Sequence, residues 1–173
     1  KTIKPLSIHY LPNSGEVKFN LSRNNRGSNF SSSALGASII RVSNQHFGPA
    51  NQVLSPFPPV HMFDGFESAR SRTPNHLEEL EIELAAPTQI SSIVLDFKFF
   101  INNNPRFIAI DGFYISKTKD GEWIELVQKN SVKAWAGNKK QYLISSKNRY
   151  TRLKIKVFPD GGINRILVYG STG

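Results

Sequence analysis

Tyr150-Thr-Arg-Leu-Lys-Ile-Lys-Val-Phe-Pro-Asp-Gly-Gly-Ile-Asn-Arg-Ile-Leu-Val-Tyr-Gly170 is the stretch that decides the fold. Leu153, Ile155 and Val157 alternate with Arg152, Lys154 and Lys156, the period of two that sends one face of a strand into a core and the other into water. Pro159 ends that strand. Asp160-Gly-Gly162 follows with a side chain able to hydrogen-bond its own turn and two residues free to take positive φ, after which a second apolar strand runs to Gly170. Such a turn serves any hairpin, so the specificity must come from elsewhere.

Working outward, Leu80, Ile82 and Leu84 alternate with Glu79, Glu81 and Glu83, a strand with an acidic outer face. Ile93, Leu95, Phe97 and Phe99 alternate along a second strand. Phe107 to Ile115 and Trp123 to Val127 give two more, joined through Lys119-Asp-Gly121, and Tyr142 to Ile144 another. Short strands broken by Gly, Asn and Pro turns, without an amphipathic helix, predict an all-β, antiparallel two-sheet sandwich. The three apolar sets should share one core. The acidic strand should neighbour the basic one, since opposite charges across a sheet contribute ~0.2–1 kcal/mol per pair.

At 173 residues the chain is long enough for one domain with a real core. It has no cysteine, which excludes a disulfide framework and Cys-ligated metal, and its four histidines lack a paired zinc spacing, so neither metal nor cofactor is expected. No apolar run reaches the ~18 residues of a membrane span. The chain begins with Lys1, so a leader removed before it would leave no trace and the compartment stays open. Residues 1–33 are weakly patterned and read as an N-terminal arm, with Lys4 to Tyr10 and Glu16 to Leu21 as edge strands; residues 34–173 read as the domain. Pro56-Phe-Pro-Pro59 forbids a helix, so 34–59 reads as a long ordered loop. The formal net charge is +9, and no acid lies between Glu125 and Asp160. An anionic partner on the Lys129 to Lys156 face is one reading; solubility with local pairing is the blander one.

A second block supplies the specificity: Asp64-Gly-Phe-Glu-Ser-Ala-Arg-Ser-Arg-Thr-Pro-Asn-His76. With the Pro-Asp-Gly-Gly turn, Ser43-Asn-Gln-His-Phe-Gly48, Asp96 to Pro105 and Trp123-Ile-Glu-Leu-Val127, it resembles the allantoicase family, over about Ala34 to Gly170. The order of strands is also similar to the discoidin and galactose-binding-like jelly roll. The resemblance implies hydrolysis of allantoate to ureidoglycolate and urea, on chains with two tandem copies of this domain. This chain holds one copy, more similar to the second, so a second allantoicase-like domain or an oligomer is an implied partner. A small carboxylate or ureido compound, or a carbohydrate, is the implied ligand.

Such a site needs a cationic clamp, partners for ureido groups and a proton carrier. Arg70 and Arg72 are the candidate clamp, because a guanidinium fork matches a carboxylate. Asp64, Asp96, Asn103 and Asp160 are candidate ligand-binding groups, and Glu67 and His76 the candidate acid or base if the chain is active. Asp64-Gly65 and Asp160 serve equally as turn chemistry, and Glu67 with an arginine as a loop ion pair. Three departures weigh against turnover. Phe97, Phe99 and Asn102 replace the family's Thr, His and Gly; Tyr142 replaces a second histidine; and Ala69, Ser71 and Phe66 interrupt the family's arginine run and tryptophan. The histidines are the groups that titrate near neutral pH. The leading expectation is therefore a binding or assembly module with weakened or lost catalysis. The alternatives are an active allantoicase and, third, a polyanion-binding domain.

Overall fold

The computed structural model describes residues 6–10, 17–21, 27–116, 119–133 and 139–173. Strands β1 (Leu6–Tyr10) and β2 (Val17–Leu21) form a hairpin of their own. The domain is an antiparallel sandwich built around one 19-residue strand, here numbered after β3 (Ser38–Val42) and β4 (Phe66–Glu67) as β5 (Glu78–Asp96). Its first half lies between β3 and β9 (Tyr150–Phe158), and that sheet continues through β6 (Phe107–Ser116) to β7 (Lys119–Ser131). Its second half lies between β8 (Lys139–Leu143) and β11 (Arg165–Ser171), forming the opposing sheet. A short pair, β4 with β10 (Gly162–Ile163), closes one end.

The two acidic and apolar stretches that read as separate strands are thus one strand that changes sheets. A register shift between Glu83 and Thr88 makes this possible. Pro87, which has no N–H to donate, falls within it, where the ladder is interrupted. The strand ends at Asp96, whose Oδ1 accepts the Lys98 N–H at 2.9 Å, and the Phe100 N–H closes back on the Phe97 carbonyl. Phe97 remains in the core at 3% exposure, but Phe99 takes φ +73° and is 37% exposed, correcting its assignment to the core. Two further expectations are corrected. Ser38–Val42 is an edge strand inside the supposed loop, and Lys119 pairs with Ser116, so Asp120 and Gly121 lie in a strand.

Leu80, Ile82, Ile93, Leu95, Leu153, Ile155 and Val157 are fully buried in one cluster between the sheets. Each such side chain contributes about 1.5–3 kcal/mol by leaving water. On the outer face Glu79, Glu81 and Glu83 stand opposite Lys156, Lys154 and Arg152, as expected. Lys156 also reaches Asp111 at 2.6 Å, and Arg41 reaches Glu79 at 2.5 Å and Glu81 at 3.6 Å. Lys154 stands 4.2 Å over the Trp123 ring, Arg152 5.1 Å over Phe113, and Lys129 4.4 Å over Phe158. The cations of this face have partners within the fold. Other basic residues (Arg70, Arg72, Lys98, Arg106, Lys133 and Lys139) sit on or beside the loops at the β4–β10 end.

Candidate functional site

β9 and β11 belong to different sheets, so the turn between them crosses the end of the sandwich instead of closing a hairpin. The crossing carries β10, which pairs with β4 so that Gly162 faces Glu67 and Ile163 faces Phe66. Phe66 is fully buried and anchors β4. On the other edge Gly48 and Glu67 exchange both backbone hydrogen bonds, at 3.1 and 3.2 Å. Glu67 therefore occupies the centre of a three-ply backbone layer.

Its side chain is half-buried, and Oε1 accepts from Asn103 Nδ2 at 2.7 Å while Oε2 has no partner among the described residues. The Asn103 carbonyl in turn accepts the Gly162 N–H at 2.8 Å. Asp160 Oδ2 accepts the Ser71 N–H at 2.8 Å, and Ser68 Oγ accepts the Gly161 N–H at 3.1 Å. Gly161 has φ +131°, and a Cβ there would lie 2.6 Å from the Pro105 nitrogen and 2.8 Å from the Asn103 carbonyl oxygen. Only glycine lets the turn and the 103–105 loop approach this closely. Arg70 and Arg72 flank Ser71, are exposed, and have no acidic partner among the described residues.

Glu67, Asn103, Asp160 and the Arg70–Arg72 segment thus meet at one end. Two other candidates have structural partners. Asp64 caps a single helical turn, its Oδ2 accepting the Val60 and His61 N–H groups at 2.7 and 3.0 Å, while buried Asp96 holds the turn at Lys98. His76 lies two residues before β5, its Nε2 2.5 Å from Glu78 Oε1. Asn44 was missed: its Oδ1 accepts the Ala69 N–H at 2.8 Å and ties the 43–48 loop to the arginine segment. Arg165 was also missed, although it lies only three residues past Gly162. It is 5% exposed and donates to the carbonyls of Phe57, Asp64 and Asn164, all at 2.7 Å, and burial lowers its pKa against the pull of Asp64 and Asp96.

The sequence matches the allantoicase family, described as the allantoicase repeat, over residues 28–173. The chain belongs to the allantoicase family. It is 35% identical over 141 residues to the allantoicase of Saccharomyces cerevisiae, covering 78% of this chain and 40% of that one. It is 30% identical over 142 residues to a probable allantoicase of Pseudomonas fluorescens, covering 78% and 43%. The crystal structure of the yeast allantoicase superposes with a TM-score of 0.75 at 33% identity, covering 83% of this chain and 43% of that one. The chain therefore spans about two-fifths of the length of these allantoicases. A family 32 carbohydrate-binding module from Clostridium perfringens NanJ shares the fold, with a TM-score of 0.57 at 16% identity over 77% of this chain and 91% of that one.

Within this allantoicase repeat, Phe99 lies beside exposed aromatics, its ring 6.5 Å from His61 and 5.0 Å from Lys98 Nζ. Tyr142 lies on β8 opposite Ile93, and its hydroxyl donates to Asn130 Oδ1 at 2.8 Å. Burial pushes the Tyr142 pKa from 10.0 up to about 12. At neutral pH it holds its proton firmly. Because the folded-state pKa is raised, its contribution to stability is complete below pH 10 and is lost as pH rises towards about 12. An ultraviolet phenol titration should show a late-titrating component that Tyr142→Phe removes, beside Tyr114, whose pKa is raised by its hydrogen bond to Glu122; a titration unchanged by the substitution would contradict the assignment.

Proposed function

We propose that this chain is a ligand-binding repeat of the allantoicase type, taking a small ureide carboxylate at the β4–β10 end and turning it over weakly or not at all. The reading is carried by one observation: Glu67, paired with Asn103, lies beside an arginine segment whose central amide is fixed by Asp160. Arg70 and Arg72 supply a fork for a carboxylate, and the free oxygen of Glu67 is an acceptor for a ureido N–H. Weak turnover follows from Phe99 and Tyr142 standing where the family places histidine, one without a proton to give and the other holding its proton beyond neutral pH. The length of the relatives, more than twice the matched span, supports a second such domain as partner. Hydrolysis is the second reading, favoured by the contact of His76 with Glu78.

The test is calorimetry with allantoate beside a urea-release assay. Saturable binding is expected, weakened ~10- to 100-fold by Arg72→Ala through loss of a charge-assisted hydrogen bond. Urea release should fall ~10²- to 10⁴-fold below a full-length allantoicase, the usual worth of a positioned acid or base. The Phe99→His/Tyr142→His double variant should recover part of it. Robust hydrolysis by the unmodified chain would overturn the loss of turnover, and binding of galactose in place of allantoate would overturn the ligand class.

A further inference from the structure

Glu78 is a carboxylate at 7% exposure, yet it stands in ion-pair reach of no lysine or arginine among the described residues. A buried charge is costly unless each oxygen is answered by a donor. Its Oε1 lies 2.5 Å from His76 Nε2, and its Oε2 meets the hydroxyl of Ser43 in a short contact. The direction of these bonds is fixed by a third. Ser43 Oγ already accepts the Glu79 N–H at 2.8 Å, so the serine proton is free to point at Glu78 Oε2. An ionised Glu78 then has only acceptors, and His76 must present Nε2–H to it. Nδ1 is left without a partner among the described residues, on a side chain 33% exposed.

From this arrangement we propose that His76, through Nδ1, is the group that exchanges a proton with a ligand bound at the β4–β10 end, and that Glu78, held by Ser43, is its positioning residue. The proposal rests on the reading of that end as a ureide site. The location fits: Asn44, next to Ser43, binds the amide of Ala69, and Ala69 precedes Arg70. In hydrolysis a water oxygen bonds to the ligand carbon while its proton passes to Nδ1. The carbon–nitrogen bond breaks in the same displacement, the proton moves from Nδ1 to the departing nitrogen, and urea leaves. The carboxylate stabilises the intervening imidazolium, as an orienting acid does for any histidine base. Tyr142 and Phe99 offer no equivalent.

Long-range proton–nitrogen spectra of the whole chain with isotope-labelled histidine, assigned through His76→Gln, test this without relying on turnover. His76 should show a protonated, slowly exchanging, downfield Nε2–H and a bare Nδ1, and saturating allantoate should shift Nδ1. Glu78→Gln should move the Nε2–H signal upfield and speed its exchange ~10-fold or more, the consequence of replacing a charge-assisted hydrogen bond by a neutral one. If that variant does not fold, Ser43→Ala should give the same change in smaller measure. A proton on Nδ1, a signal indifferent to both substitutions, or an Nδ1 unmoved by ligand that calorimetry shows to be bound would each overturn the proposal. Absence of allantoate binding by calorimetry would instead defeat the ureide reading on which it rests. Where urea release is measurable, Glu78→Gln should lower kcat with KM little changed.

Discussion

Replacing Arg165 with methionine is expected to destabilise the domain by about 3–5 kcal/mol, because a buried cation hydrogen-bonded to three carbonyls is lost and the acceptors remain buried. Methionine keeps most of the volume, so the effect isolates the polar contacts. Those contacts reach Phe57 and Asp64 in one loop and Asn164 beside the turn, while Asn164 Nδ2 binds the carbonyls of His61 and Lys98 at 3.2 and 2.7 Å. Arg165 and Asn164 together tether the 57–64 and 97–101 segments, which present Phe57, Val60, Phe63, Phe99 and Ile101 to solvent. Urea denaturation would measure the loss, and amide exchange at 57–64 should accelerate ahead of the core. A change under about 1 kcal/mol would mean that water replaces the guanidinium without cost.

The second large effect is expected at Gly161. Alanine there is strained at φ +131° and drives its Cβ against the backbone of residues 103–105. Backbone strain and overpacking each cost about 1–3 kcal/mol, so a total of about 2–6 kcal/mol is expected in a thermal or urea melt. Relief can come only by moving the 103–105 loop, which pulls Asn103 from Glu67 and from the Gly162 amide. Calorimetry should therefore show allantoate binding weakened ~10-fold or more at temperatures where the variant is folded, the loss of one charge-assisted hydrogen bond. Lost stability with unchanged affinity would remove the Glu67–Asn103 pair from the ligand site.

The fold was legible because its signal is local. The alternation of Leu80, Ile82 and Leu84 against three glutamates, and of Leu153, Ile155 and Val157 against three cations, names both the buried face and the neighbour across the sheet. Phe99 broke the pattern for a reason that alternation cannot carry, since the turn set by the Asp96 side chain reverses its direction. Ser38–Val42 was missed because an edge strand buries little and shows no clean period; its burial alternates poorly. At the site, the Asp64 block and the closing turn could be joined through family resemblance, and the structure brings Glu67, Asn103 and Asp160 to one end. The contacts that decide which acids are free for chemistry were not legible. Asp64 and Asp160 look alike as turn acids in sequence, but one caps its own loop and the other reaches across to Ser71. Glu78 falls in phase with Leu80, Ile82 and Leu84, so alternation puts it on the inward face, but its contacts with His76 and Ser43 leave no trace in the sequence.

β5 gives the domain an uncommon division of labour. Since one strand runs through both sheets, pairing with β3 and β9 in one and with β8 and β11 in the other, the two sheets share a backbone and are expected to open together. The loops of the proposed ligand end attach at its margins, before Glu78 and after Asp96. Exchanges of chemistry at positions such as 99 therefore leave the shared strand untouched. Selection for folding is blind to them, so a repeat of this build can drift from catalyst to receptor while every measure of its integrity stays the same.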